Sequence, residues 1–150
     1  MTDGNVERRL AAVLLADVVG YSRLMGENET ATLRELQEHQ FAVVNPTIGQ
    51  YHGRIAKLMG DGVLVEFQSV VAAVECAIAI QRGMLLRNFE VPESRQIRFR
   101  IGINIGDLLI DGDDIYGDGI NVASRLQEMA VPNGVCISST VLQLSSDTRF

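Results

Sequence analysis

The stretch RIAKLMGDGVLVEF (residues 54–67) decides the fold. Two apolar runs, Arg54 to Met59 and Val63 to Phe67, flank Gly60-Asp61-Gly62, a glycine-bracketed turn that reads as a tight hairpin with Asp61 at its tip. Before the hairpin, Leu33, Leu36, Phe41 and Val44 recur at helical spacing, predicting a helix from Glu29 to about Val44 that ends near Pro46. After it, Ser69 caps an apolar helix expected over Val70 to Leu86. Outside these helices lie Leu10–Val19 (LAAVLLADVV), a buried strand, and Ile97–Ile105, whose alternation predicts another. The order strand-helix-strand-strand-helix-strand is a split βαβ arrangement, an α+β ferredoxin-like core. Additional elements follow: a strand at Leu108–Ile110, a helix from Gly119 to Met129, a strand at Val135–Ile137 and a helix from Ser139.

The 150 residues suit one domain, with residues 1–8 expected to be a loose N-terminus. The hydrophobic content of 47% and charged content of 21% exclude disorder. Thirteen basic against nineteen acidic residues give a net charge of −6, which argues against a nucleic-acid polymer as partner. No signal-peptide core precedes Arg9 and no apolar run approaches bilayer length, so the expectation is a cytoplasmic protein without membrane insertion. Cys76 and Cys136 sit in apolar contexts far apart and read as small buried hydrophobes. His39 and His52 show no ligand spacing.

Three places break the apolar pattern. Asp17 ends an apolar strand, where an ionised carboxylate is costly unless compensated; it is either a cap for the following loop or a metal ligand. Asp61 is either ordinary turn chemistry or a second ligand. In a split βαβ sheet the first strand neighbours the hairpin, so both carboxylates can meet. Together they would form a hard oxygen site for magnesium or manganese, with room for water and phosphate. Two ions held there suit phosphoryl chemistry. The third place is the helix after Tyr116, where Asn121 and Arg125 share a face at i and i+4. They suit an anion or a developing oxyanion; the alternative is a solvated pair beside Asp118 and Glu128. On the same helix Val122, Leu126 and Met129 are expected to face the core. Lys57 and Asp114 are ambiguous alone, yet a donor and an acceptor match the ring nitrogen and exocyclic amine of adenine.

The segments LADVVGYS (15–22), KLMGDG (57–62), GINIG (102–106) and DIYGDGINVASR (114–125) resemble the catalytic domain of class III nucleotide cyclases, in order and over about Arg9 to Ile137. YSRLMG (21–26) is similar to the proteobacterial adenylate cyclases. The resemblance implies a nucleotide cyclase fold in which Asp17, Asp61 and the Val18 carbonyl bind two magnesium or manganese ions. It implies that backbone amides around Tyr21 and Ser22 hold phosphate, and that Lys57 and Asp114 select adenine. Asn121 would orient the ribose and Arg125 would stabilise charge at the reacting phosphate. The reaction would be attack of the ribose 3′-hydroxyl of ATP on its α-phosphate, giving 3′,5′-cyclic AMP and pyrophosphate. The active sites would be shared across a homodimer, leaving a monomer nearly inactive.

Family members continue into strands carrying a triphosphate-binding lysine. No lysine follows Lys57, so the resemblance places a cyclase domain at residues 9–150 that lacks its C-terminal strands. The competing expectation is a catalytically silent cyclase-homology domain that dimerises and binds nucleotide. A guanylate cyclase is disfavoured by Lys57 and Asp114, and a diguanylate cyclase by the absence of its hairpin signature.

Overall fold

The computed structural model describes residues 6–146. Strand β1 (Val6–Val18) lies at the centre of the sheet and leads into a short helix α1 (Tyr21–Glu27). Helix α2 (Glu29–His39) continues through a π-helical turn (Gln40–Val44) into α3 (Asn45–Gln50). The hairpin β2 (Arg54–Met59) and β3 (Gly62–Phe67) precedes α4 (Val70–Arg87). Then come β4 (Phe99–Asp111), β5 (Asp114–Tyr116), α5 (Asp118–Met129), β6 (Val135–Ile137) and α6 (Ser139–Ser145).

The sheet order β2-β3-β1-β4 is that of the expected split βαβ core. β5 and β6 share the outer edge of β4: β5 pairs antiparallel with residues 109–111, β6 parallel with residues 101–103. The separate strand expected at Leu108–Ile110 is the continuation of β4, which pairs with β1 along its whole length. Val6 and Glu7, expected to be loose, pair with Asp111 and Ile110; residues 1–5 lie outside the described residues.

Alternation along β1 sends side chains to two unlike faces. Ala12, Leu14, Ala16 and Val18 enter the larger core with Val63, Val65, Phe67, Ile101 and Ile103, under residues of α2, α3, α4 and α6. Ala11, Val13 and Leu15 join Leu64, Leu108, Ile110, Ile115 and Ala123 in a smaller cluster beneath α5. Ser69 caps α4 by accepting from the Ala72 amide at 3.1 Å, as expected. Cys76 is buried and Cys136 half-buried, and both are free thiols; burial pushes the Cys76 thiol up to about 12.

Three expectations are corrected. Helix does not end before Pro46, which instead opens the first turn of α3. The preceding π turn hydrogen-bonds five residues back, and this wider turn accommodates a residue with no N–H to donate. Residues 21–27, left unassigned by periodicity, form α1 after Gly20 turns left-handed at φ 64°. On α5 the buried residues are Ala123 and Gln127, whereas Val122 and Leu126 are half-buried and Met129 is 72% exposed. Gly102 is the cause. A Cβ there would lie 2.4 Å from the Ala123 carbonyl and the Gln127 amide, so the helix backbone rests directly on the strand. That contact turns the small residue, not the large ones, toward the sheet.

No helix among the described residues is long and apolar enough to cross a membrane.

Candidate active site

Asp17 and Lys57 lie on the sheet face that α5 covers in part, whereas Asp114 lies on the outer side of β5, its neighbour Ile115 turning inward. Ala16 pairs with Val63, which sets Asp17 at the end of β1 beside the β2–β3 turn. The turn is two residues long, closed by Met59 opposite Gly62, with Gly60 at φ 59°, a value that favours glycine. Asp61 is thereby brought to Asp17 across 43 intervening positions of separation: the Val18 amide donates to Asp17 Oδ1 at 2.8 Å and to Asp61 Oδ2 at 3.0 Å. Two carboxylates sharing one donor leave negative charge uncompensated. Burial, aided by the hydrogen bond and charge of Asp61, raises the Asp17 carboxyl to about 7. Such a carboxylate pair has the donor chemistry to hold a hard cation in place of a proton.

The pocket of about 220 Å³ at this point is lined by Asp17, Val18, Gly62, Arg100, Gln127 and Glu128, among others. Arg100, which sequence reasoning missed, is the cross-strand partner of Asp17 in the β1–β4 ladder. Its Nε is buried with no hydrogen-bond partner. Its signal in the sequence was weak: flanked by the apolar Phe99 and Ile101, it looks like a solvent-facing position of an alternating strand. Among the described residues no three His, Cys, Asp or Glu side chains converge as a metal site. The side-chain donor set is two carboxylates, which fits magnesium, an ion that keeps waters and takes phosphate oxygens as ligands.

Lys57 reaches Asp114 through a local irregularity. Arg54 pairs with Glu66 and Ile55 with Val65, but Lys57 pairs with Leu64, so Ala56 is an extra residue in β2. Without this bulge Arg54 and Lys57, three apart, would point to opposite faces; with it both point to the α5 side. Lys57 Nζ lies 3.1 Å from Asp114 Oδ1. Asp114 Oδ1 also accepts from the Ile115 amide at 2.9 Å, and the Tyr116 hydroxyl donates to Oδ2 at 2.8 Å. Lys57 Nζ stands 5.5 Å from the Tyr116 ring centroid. The lysine and tyrosine hydrogen bonds hold the Asp114 carboxyl below its ordinary value.

Lys57, Tyr116, Gly117, Ile120 and Asn121 line a pocket of about 280 Å³. The structure therefore gathers Asp17, Asp61 and Val18 in one place and Lys57, Asp114 and Asn121 in another. Arg125 is exposed one turn beyond Asn121 and makes no ion pair among the described residues. Tyr21 and Ser22 open α1, four and five residues past Asp17, and helix geometry leaves first-turn amides without intrahelical partners.

At the other end of this face, Glu66 is 3% exposed and joins two arginines. It accepts from Arg9 Nη1 at 3.1 Å and from Arg54 Nε and Nη2 at 3.0 and 2.6 Å. Arg54 Nη1 continues to the Asp113 carbonyl at 3.2 Å. This triad around the buried Glu66 ties together β1, β2, β3 and the β4–β5 turn that precedes Asp114. Sequence reading passed over it, although Glu66 stands as a single carboxylate in the apolar run Val63 to Phe67.

The profile of the family described as "Adenylate and Guanylate cyclase catalytic domain" matches residues 7–150. A Rhizobium meliloti (strain 1021) protein named "Putative adenylate cyclase 3" is 48% identical over 94% of this chain. An adenylate cyclase of Glutamicibacter nicotianae is 32% identical over 99% of it. The chain spans 24% and 36% of the lengths of these two relatives. The crystal structure titled as an adenylate/guanylate cyclase/hydrolase from Silicibacter pomeroyi superposes with a TM-score of 0.90 at 44% identity, covering 95% of this chain and 83% of that one. The adenylyl cyclase CyaB of P. aeruginosa superposes with a TM-score of 0.82 at 26% identity, with the same coverages.

Proposed function

The chain belongs to the adenylate and guanylate cyclase catalytic domain family, and from that premise we propose that it is an adenylate cyclase domain converting ATP to 3′,5′-cyclic AMP and pyrophosphate. The observation that carries this reading is the convergence of Asp17 and Asp61 on the Val18 amide. Magnesium or manganese ions, when bound, supply charge against the phosphates and acidify the ribose hydroxyl. Asp17, Asp61 and the Val18 carbonyl hold them. Arg100 meets phosphate charge brought to the same pocket, and the amides of Tyr21 and Ser22 hold phosphate oxygens at the start of α1.

Adenine, rather than guanine, is favoured by the Lys57–Asp114 pair, which offers one donor and one acceptor side by side. Adenine presents the complementary order, a ring-nitrogen acceptor beside an amine donor. Asn121, lining the same pocket, orients the ribose. Arg125 stabilises the transferring phosphate of a site completed by a second copy of the chain. Its exposure and its lack of an ion-pair partner support that assignment.

The decisive test mixes an Asp17→Ala chain with an Arg125→Ala chain, each inactive alone. Half of the dimers formed from equal amounts are mixed, and each mixed dimer has one intact site, so about a quarter of wild-type activity returns. Mixed dimers that form and stay inactive overturn the shared site. A wild-type dimer that binds ATP and yields no cyclic AMP makes the domain a nucleotide-binding module.

A further inference from the structure

We propose that Tyr116 is a positioning residue for base selection: its hydroxyl fixes the Asp114 carboxylate so that the Lys57–Asp114 pair reads the nucleobase in one order only. The inference rests on the reading of that pair as the adenine selector.

The argument begins from what a lysine and an aspartate do when nothing else holds them. The Lys57 ammonium is a compact charge on a flexible stem, with three donors that rotate freely. A carboxylate has two equivalent oxygens and a broad torsion about its last bond. Both side chains here are about two-fifths exposed, so solvent does not immobilise them. Adenine presents a ring-nitrogen acceptor beside an amine donor along the edge to be read, whereas guanine presents a ring N–H donor beside the O6 acceptor, the two roles exchanged at the same positions. A mobile pair can exchange places to satisfy either. Selectivity therefore requires one member to be fixed.

Asp114 is fixed from both sides. Its Oδ1 takes its own chain's Ile115 amide at 2.9 Å and faces Lys57 at 3.1 Å. Its Oδ2 takes the Tyr116 hydroxyl at 2.8 Å. The tyrosine sits two residues along β5, on the same side of the strand by alternation. The outer side of β5 is not buried: Tyr116 is 48% exposed, too open for its ring to act as core filling. Its ring lies 5.5 Å from Lys57 Nζ, so one side chain touches both members of the pair, the cation through the ring face and the carboxylate through the hydroxyl. A core aromatic needs neither contact.

Tyr116→Phe separates these contacts, because it keeps the ring beside Lys57 and removes the hydroxyl. The readout is the ratio of dissociation constants of the 150-residue chain for α,β-methylene-ATP and α,β-methylene-GTP with manganese, measured by calorimetry. It is taken alongside the ratio of kcat/KM for ATP and GTP. Loss of one charge-assisted hydrogen bond at a half-exposed site is expected to cut the adenine preference about three- to tenfold, through KM more than kcat. The thermal midpoint controls for folding. The double variant Lys57→Ala, Asp114→Ala is run in parallel. If it lowers the preference and Tyr116→Phe does not, the tyrosine is structural and the inference is overturned while the selector stands. If neither lowers it, or if the wild-type chain binds both nucleotides equally, the selector itself falls and the inference with it.

Discussion

The two faces of the sheet are built by different rules. The face under α2, α3, α4 and α6 is apolar and closed, with Leu14, Ile101, Ile103 and Met84 inaccessible to solvent. The face under α5 is closed only where Gly102 lets the helix backbone touch the strand, and beyond that contact it carries Asp17, Lys57, Glu66 and Arg100. One strand, β1, supplies both faces from alternate residues. Apolar packing is concentrated on one side and the proposed chemistry on the other, so a single substitution on β1 is expected to damage mainly one of them.

The largest effect expected is on the open face. Asp61→Ala removes one of two carboxylate donors and is expected to lower manganese-dependent cyclic AMP formation by roughly a hundredfold or more. The melting temperature without metal is expected not to fall, because the substitution relieves repulsion with Asp17. A large loss of stability would show that the Asp17–Asp61 pair is structural and would break the division between faces. Leu14→Ala tests the converse. Leu14 is fully buried, three residues before Asp17 and on the opposite face. Its truncation is expected to cost about 3–4 kcal/mol in denaturant unfolding. Activity per folded chain at low temperature should stay near wild type, and a loss on the scale of Asp61→Ala would show the two faces to be coupled.

The closed face was readable because each of its elements obeys one period. The alternation of β4, the apolar run of β1 and the Ser69 cap of α4 all appear where pattern puts them. Failures there were local and had steric causes, such as the π turn that carries helix past Pro46. The open face was readable only where a residue broke a pattern. Asp17 and Asp61 stood out as lone carboxylates at apolar strand ends. Arg100 did not, because alternation with apolar neighbours makes it look like an ordinary surface position, and Glu66 was passed over although it interrupts an apolar run. The orientation of α5 depended on a long-range contact of Gly102 that no window of local sequence contains. Lys57 reached the correct face through a bulge at Ala56, and a one-residue register shift leaves no trace in composition.

The subtlest expectation concerns what the open face costs when no cation is present. In the folded chain the Asp17 carboxyl titrates at about 7, raised by burial and then by Asp61, against an ordinary value of 3.8. Between roughly pH 4 and pH 7 the folded chain therefore holds a proton that the unfolded chain has lost. Asp17 contributes stability that is present below pH 4, declines as pH rises through 7, and is gone above it. The Asp114 carboxyl, held low by Lys57 and Tyr116, works in the opposite sense, its contribution being lost as pH falls toward and below its ordinary value. The Val18 amide and Arg100 both oppose the Asp17 shift without cancelling it. The difference in melting temperature between the metal-free wild type and Asp17→Asn isolates it. That difference should move against the wild type from pH 5 to pH 8, and manganese at pH 8 should restore the wild type alone. A difference that stays constant with pH would mean that Asp17 and Asp61 do not share a proton. The open face would then differ from the closed one in its solvent exposure rather than in a charge held ready for a cation.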